Sequence, residues 1–195
     1  MEGATRDQVL EHKVREETVI VLDFLPHGYP HDTRPSHRKT AIVQAIGTKH
    51  FVLLELVPKK DIFLQPLQEA YIGEGKRDQI HHISGKLSID KLTVTAKNEL
   101  DFVIKDLVQK NENFFVNFFN TAKPLTTRMH QLELVPGFGK KHMWDVLEKR
   151  DEKKFESFKD LRERVKLIPD PEKAIVKRIL KELSGDEKHK IFVDM

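Results

Sequence analysis

The chain has 195 residues, 33% charged and 38% hydrophobic, with 12 phenylalanines and no cysteine. That composition supports a folded core and excludes a disulfide scaffold or a thiolate metal site. The formal net charge is +3; residues 1–110 balance at zero and residues 111–195 carry the excess, which is too little to demand a polyanionic partner.

The first residues, MEGATRDQVLEHK, contain no apolar signal core, and no long uncharged apolar run follows. A cytoplasmic protein with no membrane partner is expected. Residues 1–14 read as a flexible arm. Thr18 to Leu25 is β-branched and apolar and reads as a buried strand. Gly28, Pro30 and Pro35 then break the pattern. Lys39–Ile46 and His50–Val57 read as a hairpin around Gly47-Thr48. Tyr71 to Ser84 reads as strand, glycine turn, strand. Short strands with glycine and proline breaks suggest a small antiparallel barrel over residues 15–92, OB-like or SH3-like, which periodicity alone does not separate.

From Thr95 the period becomes helical. Ala96, Leu100, Val103, Ile104, Leu107 and Val108 form one apolar stripe, with Thr95 as the expected N-cap. A shorter helix should start near Asn113 and bury Phe114, Phe115, Phe118 and Phe119 on one face. These two form a connection over residues 93–123. Pro124 is expected to start a helix running to Val135. Phe155, Phe158, Leu161 and Val165 mark a later helix; Ala174, Ile175, Ile179, Leu180 and Leu183 mark the last, closed by Ser184-Gly185. Residues 186–195 form a tail. The fold class is α+β: an N-terminal β-barrel followed by a helical domain.

Pro136-Gly137-Phe138-Gly139-Lys140-Lys141 lies between two apolar runs, the second built on Met143, Val146 and Leu147. Glycine permits the positive φ of so tight a bend. A helix starting inside the bend leaves N–H groups unpaired, which attract an anion, and two lysines add to the attraction. The segment resembles the helix-hairpin-helix motif, which implies sequence-independent binding of a DNA or RNA backbone. On that resemblance the amides of Gly137, Phe138 and Gly139 hold a phosphate, Lys140 and Lys141 supply counter-charge, and Phe138 packs inward. Met143 stands where the motif usually has a small residue. The turn Ile168-Pro169-Asp170-Pro171-Glu172 sits where a second hairpin would sit. It has no glycine, two prolines and two acids, and suits an anion poorly. Residues 124–185 therefore read as a paired unit with one phosphate-binding hairpin.

Arg128, Lys177 and Arg178 are candidates to extend the cationic track, and Lys76, Arg77, Arg34 and Arg38 to add to it from the barrel. His27, His31, Asp32 and His37 crowd one loop, but their spacing matches no zinc signature. His81-His82 should point to opposite faces of a strand. Gly73-Glu74-Gly75-Lys76-Arg77 lacks the spacing of a phosphate loop and reads as a turn. No catalytic frame is present, so a non-enzyme without cofactor or metal is expected.

Nearly the whole chain resembles an archaeal domain-of-unknown-function family whose members are described as nucleotide- or nucleic-acid-binding. The resemblance lies in Val21–Gly28, Tyr71–Arg77, Phe118-Phe119-Asn120 and Leu134–Trp144. It implies an OB-like barrel followed by a helix-hairpin-helix domain, and brings no activity or catalytic residue. The expected function is non-sequence-specific backbone binding, RNA ahead of DNA. A protein-interaction module in a translation or DNA-processing assembly and a small nucleotide-binding protein are the alternatives.

Overall fold

Five short segments pair into one antiparallel sheet. They are β1 (Thr18–Leu25), β2 (Ile42–Gly47), β3 (Leu53–Pro58), β4 (Glu69–Tyr71) and β5 (Ile80–Lys86), in the order β4-β1-β2-β3-β5. The structure, a computed structural model, describes residues 15–35 and 39–194; the expected arm, residues 1–14, and the candidates His37 and Arg38 lie outside them. Among the described residues no ladder joins β4 to β5, so the sheet is a curled half-barrel rather than a closed ring.

The order corrects one expectation. Tyr71 to Ser84 is not a hairpin, because β4 pairs with β1 and β5 with β3. The glycines between them wrap a side chain instead. A Cβ on Gly73 would lie 2.4 Å from the Tyr71 hydroxyl, which itself accepts from the Gly75 amide at 3.1 Å.

Both faces of the sheet are apolar. Val19, Val21, Val43, Ala45, Leu54 and Leu56 line the concave side with Ala70, Ile72 and Ile80. The opposite residues, Leu22, Ile46 and Leu53, join the core of the helices. On that face Gln44 is fully buried, yet its amide is satisfied. Its Nε2 donates to the Tyr29 hydroxyl (3.1 Å) and the Lys91 carbonyl (3.0 Å), and its Oε1 accepts from Thr93 N (2.9 Å). Burial and the hydrogen bond to Glu55 push the Tyr29 phenol up to about 12.

Thr93, not Thr95, caps the first helix, α1 (Val94–Lys110); its Oγ1 accepts from Ala96 N at 3.0 Å. The second, α2 (Glu112–Thr121), buries Phe115 and Phe119 fully, but Phe118 only partly and Phe114 not at all. At about 100° per residue the four rings spread over roughly 140°, and the core covers only the Phe115–Phe119 side of that arc, so the expected four-ring face is reduced to two.

The expected helix from Pro124 to Val135 does not form. A two-stranded ribbon, β6 (Pro124–Thr126) and β7 (Met129–His130), takes its first half. A single 3-10 turn, Gln131–Leu134, takes the second. Thr126-Thr127 resists helix by β-branching, and His130 stops the ribbon. Its Nδ1 accepts from Leu132 N at 3.1 Å while its own N–H donates to Glu133 Oε1 at 2.8 Å, a capping box. Three helices follow: α3 (Lys140–Glu152), α4 (Phe158–Arg164) and α5 (Pro171–Ser184). Gly185 ends α5 in the left-handed region, φ +85°.

The segment after α5 docks into the core through Ile191, Phe192 and Val193. Glu182, 1% exposed, accepts all three of their N–H groups at 2.9 Å. Arg178, 2% exposed, pairs with Glu182 at 2.7 Å. The same guanidinium donates to the Leu134 carbonyl at 3.2 Å and to the His189 carbonyl.

Removing one member of a hydrogen-bonded buried pair strands the other charge. Glu182→Ala should therefore cost about 3–5 kcal/mol in urea denaturation, and a loss below about 1 kcal/mol would refute the role given to it. His130 provides a pH test. Burial and the neighbouring Arg150 cation lower its pKa from 6.5. The unfolded chain then binds the proton more readily. The group's stabilisation is present above about pH 6.5 and is lost as pH falls below it. His130→Asn keeps a capping oxygen without the titration. Between pH 7 and 5 the native chain should lose stability relative to this variant, with a slope of at most about 1.4 kcal/mol per pH unit.

Candidate nucleic-acid interface

The bend between the 3-10 turn and α3 is built by two glycines with different physics. Gly137 has φ +86°, and a Cβ there would lie 2.7 Å from Pro169 Cγ. It is glycine by conformation and by packing against the second turn. Gly139, the N-cap of α3, has φ −88°, and a Cβ there would meet nothing within 4 Å. Neither backbone nor packing within the described residues requires a glycine at that point.

Phe138, 3% exposed, anchors the bend, its ring centroid 5.5 Å from that of Phe119 and 6.1 Å from His142. The Phe138 amide closes the turn onto the Val135 carbonyl at 3.0 Å, which removes it from the expected donor set. Among the described residues no oxygen accepts from the N–H groups of Gly137, Gly139, Lys140 or Lys141. All four residues are exposed. The α3 terminus has no side-chain cap. His142 lies across the bend, its Nδ1 3.2 Å from the Gly137 carbonyl.

The second turn holds an acid where the first has open space. Leu167 occupies the left-handed region, φ +62°, as Gly137 does. Asp170, the N-cap of α5, accepts from Lys173 N at 3.2 Å and lies 3.5 Å from Arg162. A carboxylate of the chain itself thus covers that helix start.

The other candidates divide. Arg128 sits in the turn of the β6–β7 ribbon, exposed, with no described acceptor for its guanidinium. Lys177 is exposed on α5. Arg178 is structural, as its burial shows, and leaves the track. Lys76 is exposed, but Arg77 donates through Nε to the Gly73 carbonyl at 2.9 Å, beside Glu17 and Glu74. Arg34 is tied to Asp32 at 2.7 Å, which holds the Asp32 carboxyl at about 2. His31 stacks on Tyr29. Asp32 and His31 of the crowded loop are thus engaged by protein partners, and among the described residues no three metal-ligating side chains converge.

His81 and His82 are a correction. The register of β5 on β3 slips between Val57 and Pro58, leaving His81 as a bulge. Alternation fails there, and the two Nδ1 atoms lie 2.8 Å apart. One residue was missed. Trp144, 65% exposed, stands one helical turn from Lys140. Its signal was present: the chain's sole tryptophan falls off the Met143–Val146–Leu147 stripe.

Residues 15–194 match a protein family described as being of unknown function, DUF655. An uncharacterised protein of Methanocaldococcus jannaschii, MJ0038, is 46% identical over 178 residues, covering 91% of this chain and 79% of the relative. The crystal structure of Af1531 from Archaeoglobus fulgidus is similar at TM-score 0.81 and 44% identity, covering 91% of this chain and 99% of that one. With the match spanning the sheet, the hairpin and the docked C-terminal segment alike, the chain belongs to the DUF655 family.

Proposed function

We propose that this protein binds the phosphate backbone of nucleic acid without sequence preference, through a helix-hairpin-helix site at Gly137–Lys141 on a scaffold that includes an OB-like sheet. The reading rests on one observation: Gly139 is a glycine that the fold does not require, set at an uncapped helix start. Glycine in such a place lets an outside group approach the backbone closely. The amides of Gly139, Lys140 and Lys141 point to a phosphate, with the two ammonium groups beside it. Trp144 offers a face for an adjacent base, and Arg128 and Lys177 extend the positive surface. RNA is preferred to DNA as ligand, since an exposed aromatic favours unpaired bases.

The exposed rings of Phe102 (58%) and Phe114 (59%) favour a second reading, a protein partner seated on α1 and α2.

Gly139→Ala discriminates the readings. It should cost at most about 1 kcal/mol of stability. Yet it should weaken oligonucleotide binding several-fold, because the new methyl stands where the phosphate must approach. Lys140→Glu with Lys141→Glu should weaken binding further and lower the slope of log K against log salt by about 2. Anisotropy titrations across salt measure both, and wild-type affinity in both variants refutes the site. In the covered turn Asp170→Ala should lose about 1 kcal/mol of cap and leave binding nearly unchanged.

A further inference from the structure

Two open concavities of the half-barrel differ in the charge of their linings. The larger, about 1120 Å³, sets Glu16, Glu17, Glu74 and Asp194 against Arg15, Arg77 and Lys86. An anion entering there meets carboxylates. The smaller, about 620 Å³, lies where the chain leaves β1, enters β2 and turns out of β3. Lys39, Lys60, His27, His81 and His82 line it, and among the described residues Asp61 is its one acid. Lys59 also lines it but donates to the Arg77 carbonyl.

Two features of this cleft suit a nucleotide. Phe63 stands on its wall 77% exposed, held edge-to-face by Phe24 at 5.9 Å and 76°. That contact leaves ring surface open to water, and an open aromatic face stacks a base of any identity. The second feature is the bulged histidine pair. Two neutral imidazoles meet through Nδ1 atoms 2.8 Å apart when one donates and the other accepts. The accepting ring then carries its proton on Nε2, so a hydrogen-bond donor remains on the pair. A metal is the poorer fit, since no third ligating side chain joins the two histidines among the described residues.

We propose that this cleft receives one unpaired nucleotide of a single-stranded nucleic acid, its base on Phe63 and its phosphate among Lys39, Lys60 and the histidine pair. The ligand class rests on the nucleic-acid reading above, but the cleft shares no residue with the hairpin. A duplex keeps its base faces stacked and cannot use Phe63, so removal of this ring acts on single-strand binding alone.

The test uses the full chain and a short labelled mixed-sequence oligonucleotide, single-stranded and as a duplex, followed by anisotropy. Phe63→Ala should weaken single-strand binding by about 5- to 100-fold and leave duplex binding unchanged. Lys39→Glu with Lys60→Glu should weaken it too and lower the single-strand salt slope by about 1 to 2. Thermal melts establish that each variant folds. Wild-type single-strand affinity in both variants overturns the proposal, as does a native chain that binds no single strand. Loss confined to the Lys140→Glu, Lys141→Glu variant removes the cleft and keeps the hairpin. Loss confined to the cleft variants does the reverse.

Discussion

A buried ion pair holds the C-terminal part of this molecule in register. Glu182 and Arg178 sit one turn apart on α5, and each is almost completely removed from water. A lone charge at that depth would be prohibitively unfavourable. Each is therefore saturated. Glu182 takes three successive amides of the docked C-terminal segment, and Arg178 takes the carbonyls of Leu134 and His189. Leu134 ends the 3-10 turn that enters the bend at Pro136. One guanidinium thus connects the last helix, the last residues and the candidate site. The same arrangement seats Gly137 against Pro169, so the two turns sit back to back.

Placing the turns together makes their difference interpretable. Both bend through a left-handed residue, Gly137 in one and Leu167 in the other. A leucine in that conformation is disfavoured by about 1–2 kcal/mol, and its side chain, 86% exposed, returns nothing in packing. Nothing in the structure explains a leucine there. At the helix starts the logic is clearer. Asp170 satisfies a backbone donor of α5 from within the chain. Gly139 has no side chain to do the same for α3. Two similar bends thus expose opposite surfaces, one self-capped and acidic, the other open and flanked by lysines.

Local signals were legible in the sequence; signals depending on distant partners were not. The β-branched run Thr18–Leu25, the apolar stripe of α1, and Gly185 at the end of α5 all act within a few residues, and each marked its element. Tyr71–Ser84 failed because strand pairing is decided across the sheet, and two neighbouring strands went to opposite edges. Pro124–Val135 failed because a capping histidine and two threonines overrode apolar spacing that fits either a helix or a ribbon. His81-His82 failed because a bulge is a property of two strands, not one. At the candidate site the glycines and lysines were readable. That the Phe138 amide is consumed within the turn was not, since it depends on the carbonyl of Val135.

The arginines show where positive charge is available. Arg150 caps α2 through the carbonyls of Phe119 and Ala122, and Arg164 caps α3 through those of Lys149 and Lys153. Arg178 closes the C-terminal node. Arg15, Arg34, Arg77 and Arg162 hold a carboxylate or carbonyl, which leaves Arg128 alone among the described arginines with its side chain unengaged. Guanidinium is the group that reads paired acceptors on a base edge, and here it is spent inside the fold. The exposed cations are mostly lysines, point charges that register a phosphate but not the base attached to it. On the proposed function, a surface so divided would register the charge of a polymer rather than its sequence, and any preference between single and double strands would fall to the open aromatic faces of Phe63 and Trp144.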